Sequence, residues 1–150
     1  AEAGDFFAIA DLVNRSFEVE RSYVEEPAET AATVANDKKI GLYLVAVDSD
    51  GQLVGCVYVP DGQNKIVKLA VETSMRKQSI GRRLMAAAEK HGRDIGWTLV
   101  EIAIWNFRSD LLKYYRNLGY AEKTGVIGTP KPPVRCIQLC HFIIMSKQLA

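Results

Sequence analysis

The chain has 150 residues and a formal net charge of +1, which suits one domain able to bury about 68–70% of its unfolded surface. Such a balance excludes wholesale attraction to nucleic acid or to an anionic membrane, and no apolar run approaches the ~20 residues of a membrane span. No secretory leader, repeat, low-complexity tract or linker is read, so a single domain over residues 1–150 is expected.

Asp5 can cap a helix in which Phe6, Ile9, Leu12, Val13 and Phe17 recur at helical spacing. Pro27, after Glu25 and Glu26, reads as the first turn of a second helix reaching about Asn36. The period then shortens. Residues 41–47 and 53–59 are rich in β-branched and aromatic side chains, and Asp48-Ser49-Asp50-Gly51 joins them as a hairpin. A second turn, Asp61-Gly62-Gln63-Asn64, leads into a strand over 65–71. From 79 to 95 a stripe of Ile80, Leu84, Ala88, His91 and Ile95 predicts a long helix that stops at Gly96.

Residues 98–105 are apolar except for Glu101, the pattern of a strand covered on both faces. A helix over 108–118 ends at Gly119. Two strands follow, at about 120–126 and 137–147, separated by a proline-rich stretch over 128–134. The order ααβββαβαββ describes an α/β domain, a mixed sheet with helices on both faces.

Cys56, Cys136 and Cys140 are an odd set without a disulfide framework, and a reducing cytoplasm is their simplest home. The Cys136-x-x-x-Cys140-His141 spacing falls in a predicted strand, where alternation sends Cys140 and His141 to opposite faces. A fourth ligand is also lacking, so no metal is expected.

The strand–loop–helix unit over 65–84 carries the clearest chemistry. Its loop reads Met75-Arg76-Lys77-Gln78-Ser79-Ile80-Gly81-Arg82-Arg83. A helix N-terminus offers unpaired N–H groups and the positive end of a dipole. Arg76, Lys77, Arg82 and Arg83 add cations suited to a pyrophosphate, and Gly81 lets a ligand approach the backbone. The same cations on a solvated face would need no ligand, although they oppose the helix dipole and a bound anion would relieve that. Neither a Walker loop nor a dinucleotide fingerprint is present.

Leu69-Ala70-Val71 followed by Arg76-Lys77-Gln78-Ser79-Ile80-Gly81 resembles the R/Q-x-x-G-x-G/A motif after the fourth strand of the GNAT N-acetyltransferase superfamily. Ser79 replaces the first glycine. A Cβ in left-handed backbone there would cost about 1 kcal/mol or more, while the hydroxyl could donate to a phosphate. Asn106 at a strand end, then Tyr115-Arg116-Asn117-Leu118-Gly119-Tyr120, resembles the family's Asn and Y-x-x-x-G-F/Y pattern. Phe142-Ile143-Ile144-Met145-Ser146-Lys147 is similar to its last strand. The matches run in order over roughly residues 5–147. The family's usual first strand is not visible, and residues 1–4 are read as its trimmed remnant.

This resemblance implies a GNAT-like, mostly antiparallel mixed sheet, with acetyl-CoA or another short acyl-CoA as donor and an amine, small molecule or peptide, as acceptor. Leu69, Ala70 and Val71 would pair with the pantetheine arm, and the uneven alternation over 66–69 fits a β-bulge. Arg76, Lys77, Gln78, Ser79, Ile80, Gly81 and Arg82 would hold the pyrophosphate, and Asn106 would contact the cofactor near the pantetheine.

Direct attack of the amine on the thioester needs an acid for the departing thiolate. Tyr115 matches the family's acid, and a phenol pKa of about 10 lies near a thiol's ~8.5. Periodicity does not separate Tyr114 from Tyr115; the spacing to Gly119-Tyr120 does. Glu101, interrupting an apolar strand, and His141, beside the proline-rich loop, are the candidate bases, while proton loss through ordered water needs neither. His91, Trp97 and Trp105 are read as packing residues.

The acceptor pocket is expected between the first two helices and residues 128–134, walled by Phe17, Glu18, Glu20, Arg21 and Tyr23. The competing reading is a non-catalytic acyl-CoA-binding regulatory domain, favoured by Ser79. Transfer to a hydroxyl or to an aminoglycoside would suit the same scaffold. A short basic cluster without interleaved aromatics argues against nucleic acid, and edge strands near the C-terminus permit a homodimer.

Overall fold

Runs with a period of two become strands and apolar stripes become helices in the computed structural model, which describes the backbone of residues 1–131, 134–138 and 140–149 and all of their side chains except those of 77 and 124–127. The helices are α1 (Phe6–Ser16), α2 (Ala31–Lys38), α3 (Ile80–Asp94) and α4 (Ser109–Asn117). The strands are β1 (Val24–Glu25), β2 (Gly41–Val47), β3 (Leu53–Pro60), β4 (Val67–Val71), β5 (Leu99–Trp105), β6 (Ala121–Gly128), β7 (Arg135–Cys136) and β8 (Phe142–Gln148). They form three antiparallel sheets, β2-β3-β4, β5-β8-β6 and β1-β7. Among the described residues no helix is long and apolar enough to cross a membrane.

Alternation along β3 distributes its side chains between two cores. Cys56 and Tyr58 face a cluster with Ile9, Leu12 and Val13 of α1 and Val34 of α2. Val57 and Val59 face a cluster with Ile80, Leu84, Met85 and Ala88 of α3. β3 is therefore dry on both faces, as its near-continuous apolar run requires.

β4 carries the irregularity expected over 66–69. Cys56 pairs with Ala70 and Tyr58 with Val67, so one residue of β3 opposes two of β4. That is a β-bulge, and Lys68 within it has φ +55°. Among the described residues, backbone hydrogen bonds join the two larger sheets at the foot of β4. Ile66 donates to the carbonyl of Glu101 at 3.2 Å, and Glu101 donates to that of Asn64 at 2.9 Å. Lys65 and Glu101 form a lone parallel bridge. Beyond that point β4 and β5 diverge.

Five expectations change. The second helix starts at Ala31, because Thr30 and Thr33 exchange side-chain bonds of 3.1 and 2.9 Å in a capping box. Glu25 instead lies in β1, where Val24 pairs with Cys136. Residues 3–5 form a 3-10 turn rather than a strand remnant, and the Asp5 carboxylate accepts from the N–H of Glu2 instead of capping α1. Finally, Cys136 and Cys140 are joined in a disulfide. Residues four apart in a strand would stand about 13 Å from each other, whereas these Cα atoms are 6.1 Å apart. The last strand therefore begins at Phe142 rather than at 137, and Cys136 and Cys140 are not free thiols. Cys56 is the buried free cysteine, and burial pushes its thiol up to about 12.

Candidate active site

The divergence of β4 and β5 opens a cavity of about 1250 Å³. Leu69, Ala70 and Val71 form one wall, and Ile102, Ala103, Ile104 and Trp105 the other. Past Ile66 the edge of β4 that faces β5 has no ladder partner among the described residues, so its backbone groups are available to an extended ligand.

The start of α3 closes one end. Ser79 is left-handed, with φ +60° and ψ +19°, the conformation a glycine supplies without strain. The first α-helical bond runs from Arg83 N–H to Ser79 O at 3.0 Å, which leaves the earlier N–H groups of the turn without helical acceptors. No acidic residue lies in that first turn. Arg76, Ser79, Gly81 and Arg82 line the cavity, and Arg76 Nε donates to the carbonyl of Val71 at 3.2 Å.

The structure does not bring all the expected residues here. Ile80 packs into the core, and Gln78 bonds to the sulfur of Met75 at 3.5 Å. The side chain of Lys77 lies outside the described residues. Asn106 is not on the cavity wall. Its Oδ1 accepts from His141 N–H at 3.0 Å while its own N–H donates to His141 O at 2.9 Å, so it extends the β5–β8 ladder.

Tyr114 and Tyr115, adjacent on α4, both line the cavity. Tyr115 is 7% exposed and stands edge-on to Tyr114 and Tyr120, at centroid distances of 5.2 and 5.8 Å. Burial raises its phenol well above the ordinary range, and Arg108 is close enough for its charge to oppose that rise. Tyr114 is half-buried and also raised by burial, with Arg82 opposing. Its hydroxyl reaches the backbone at Gly81.

Neither expected base reaches this space. Glu101 pairs with Lys123 at 2.6 Å, and neither it nor His141 lines the cavity. An apolar strand around one carboxylate suggested burial; the salt bridge to β6 satisfies it instead.

Of the expected acceptor walls, Phe17, Glu20 and Arg21 line the cavity, whereas Glu18 and Tyr23 do not; Tyr23 stacks on Phe107 at 4.0 Å. Glu20 follows α1 in a 3-10 turn and is 5% exposed. Its Oε1 accepts from Arg108 at 2.7 Å, and Arg108 also grips Asp110 through bonds of 3.1 and 3.0 Å. Loss of hydration pushes the Glu20 carboxyl up to about 7, against the pull of Arg108. Glu26, at the mouth, is raised by loss of hydration and then by the charge of Glu29. Deeper along the bulge, Lys68 bridges Glu29 at 2.7 Å and Asp37 at 2.6 Å. Sequence reasoning missed Arg108, Lys68 and Asp37. Only the unpaired look of a lysine inside an apolar strand hinted at such a cluster.

The acetyltransferase (GNAT) family model matches residues 6–120. A sequence comparison with curated proteins finds no match. Among solved structures, an acetyltransferase of the GNAT family from Staphylococcus aureus MU50 aligns at TM-score 0.79 and 14% identity, covering 100% of this chain and 96% of its own. An aminoglycoside 6'-N-acetyltransferase complexed with coenzyme A aligns at TM-score 0.73 and 20% identity, over 95% of this chain and 89% of that one. PaiA N-acetyltransferase from Thermoplasma acidophilum, in complex with coenzyme A, aligns at TM-score 0.71 and 15% identity, over 99% and 95%. At these identities the likeness is one of fold.

Proposed function

The chain belongs to the acetyltransferase (GNAT) family, and from that premise we propose that it moves an acetyl or short acyl group from acyl-CoA to an amine by direct attack. One observation carries this reading: β4 and β5 separate beside a helix N-terminus rich in cations, with a buried tyrosine on the cavity wall between them. An extended arm with an amide-bearing chain and a pyrophosphate at its end fits that shape and charge.

The residues divide the work. Backbone groups of Leu69, Ala70 and Val71 bind the arm as an added strand would, and those nearest the bulge polarise the thioester carbonyl. Ser79, Gly81, Arg82 and Arg76 bind the pyrophosphate. Tyr115 donates its proton to the leaving sulfur. Its elevated phenol stays protonated at neutral pH, and a dry surrounding strengthens any bond it makes to a developing charge. Ile102, Ile104 and Trp105 exclude water that would compete with the amine. The acceptor enters from the side of Phe17, Arg21 and Glu26. We place the reaction in the cytoplasm, where acyl-CoA is made.

A non-catalytic acyl-CoA-binding domain drew its support from Ser79. That residue adopts the left-handed conformation the loop requires, so the substitution leaves the phosphate cradle in shape.

The test is release of CoA thiol from acetyl-CoA with and without spermidine, tobramycin, tyramine and a peptide with N-terminal alanine. Thiol release that depends on one of these amines, with a matching gain of an acetyl group in its mass, is the expected result. Tight acetyl-CoA binding without release for any amine would favour the non-catalytic reading.

A further inference from the structure

We propose that Glu20 is the general base of the transfer, taking the proton that the acceptor's ammonium group must lose before it attacks. This rests on the acyl-transfer reading above and extends it to a residue outside the family motifs matched in the sequence.

Elimination among the cavity carboxylates leads to Glu20. Glu29 and Asp37 share the ammonium of Lys68. Asp110 is exposed and spends both oxygens on Arg108. Glu25 and Glu26 lie exposed at the mouth. Glu20 alone among them is buried, at 5% exposure. Its position is also fixed: Arg108 grips Oε1 at 2.7 Å, and Trp105, the last residue of β5, lines the same cavity. Arg108 in turn lies near Tyr115. Glu20, Arg108 and Tyr115 all line this one cavity, so acid and base share it, and Arg108 holds the base.

The surroundings tune the group for this task. The charges that act on Glu20 are Arg108, which lowers its pKa, and Glu26, which raises it; loss of hydration outweighs both and leaves it near 7. A base poised there accepts a proton from an ammonium and returns it to water at neutral pH.

The proton balance closes. One ammonium proton passes to Glu20 and then to solvent. The freed nitrogen lone pair forms the C–N bond, the C–S bond breaks, and the sulfur takes the proton of Tyr115. The second nitrogen proton, lost from the tetrahedral adduct, restores the phenol. The net products are amide, CoA thiol and one proton.

The experiment compares steady-state kinetics of the wild type, Glu20→Gln, Glu20→Asp and, as a control outside the cavity, Glu101→Gln. It uses acetyl-CoA with whichever of spermidine, tobramycin, tyramine or the alanyl peptide the wild type acetylates, from pH 5.5 to 9. Glu20→Gln should lower kcat by on the order of 10²–10⁴, keep the KM for acetyl-CoA, and lose the acidic limb near pH 7. Glu20→Asp should retain that limb at a reduced rate, and it carries the test if the Gln variant fails to fold. Glu101→Gln should stay within about twofold of wild type, because a general base contributes far more than that. Unchanged kcat in Glu20→Gln, or a raised KM for the amine at constant kcat, overturns the base while transfer stands. Loss in Glu101→Gln instead reassigns the role. No turnover of any amine by the wild type removes both readings.

Discussion

The hydroxyl of Tyr114 lies 2.6 Å from the point where a Cβ on Gly81 would stand. The glycine in the first turn of α3 thus makes room for a side chain of its own protein. Gly81→Ala should cost about 1–3 kcal/mol through this clash, less up to about 1 kcal/mol of helix propensity. In a Tyr114→Phe background the nearest remaining ring atom, Cζ, is at 3.7 Å, an ordinary contact. There the same substitution should be neutral or stabilising. Urea unfolding of the four proteins checks this, and additive effects would refute the contact.

Ser79 holds a left-handed backbone, and its side chain makes no cap to α3. Ser79→Gly should therefore stabilise by up to about 1 kcal/mol, relief of strain exceeding the added freedom of the unfolded chain. Ser79→Ala should leave stability unchanged yet weaken acetyl-CoA binding several-fold if the hydroxyl meets a phosphate, a bond of about 0.5–1.5 kcal/mol. Thermal melts at saturating and zero acetyl-CoA separate the two effects. At ~100 times the dissociation constant the wild type should gain about 2.7 kcal/mol, and Gly81→Asp should lose that gain by repelling the pyrophosphate.

Lys68 is the common partner of Glu29 and Asp37, and Asp37 also accepts from the Tyr43 hydroxyl at 2.9 Å. Replacing it with Met would leave two carboxylates facing each other in a partly dry wall. A loss of about 1–3 kcal/mol is expected at pH 7, read from urea unfolding of the two proteins. An unchanged unfolding midpoint would show that the ion pairs contribute nothing.

Glu20 should leave its mark on stability as well as on rate. Its carboxyl rises from an ordinary 4.5 to about 7 in the folded chain, so the folded state holds this proton more tightly than the unfolded state does. The stabilising contribution is complete below pH 4.5 and is lost as pH rises through 7. Relative to the wild type, Glu20→Gln should therefore become more stable across that window, by on the order of 1–3 kcal/mol. Chemical denaturation at pH 4.5 and pH 8 measures the difference, and a constant gap would refute the shift.

Local features of this site were legible in the sequence because they depend on neighbours in the chain. The bulge followed from broken alternation over 66–69, and the left-handed turn from a serine in a glycine position; both are present at Lys68 and Ser79. The tertiary parts were not legible. Glu20 and Arg108 meet across 88 positions, and no pattern near either residue reports the contact. Glu101 looked buried because its own strand is apolar, but its partner Lys123 lies on β6. The Cys136–Cys140 bridge was obscured by an odd cysteine count and by a β-like composition on either side. Thr30 caps the second helix, but beside Pro27, a stronger local start signal, it does not stand out in the sequence.

Turnover of acetyl-CoA by Tyr115→Phe, set beside its acetyl-CoA affinity, tests the account most directly. The substitution removes one oxygen from a side chain held by Tyr114 and Tyr120, so the fold and cofactor affinity should persist. Amine-dependent thiol release should fall by on the order of 10²–10⁴ in kcat. A variant that binds acetyl-CoA like the wild type and turns over at the wild-type rate would contradict the assignment of Tyr115 as the acid, and with it the mechanism built around the β4–β5 opening.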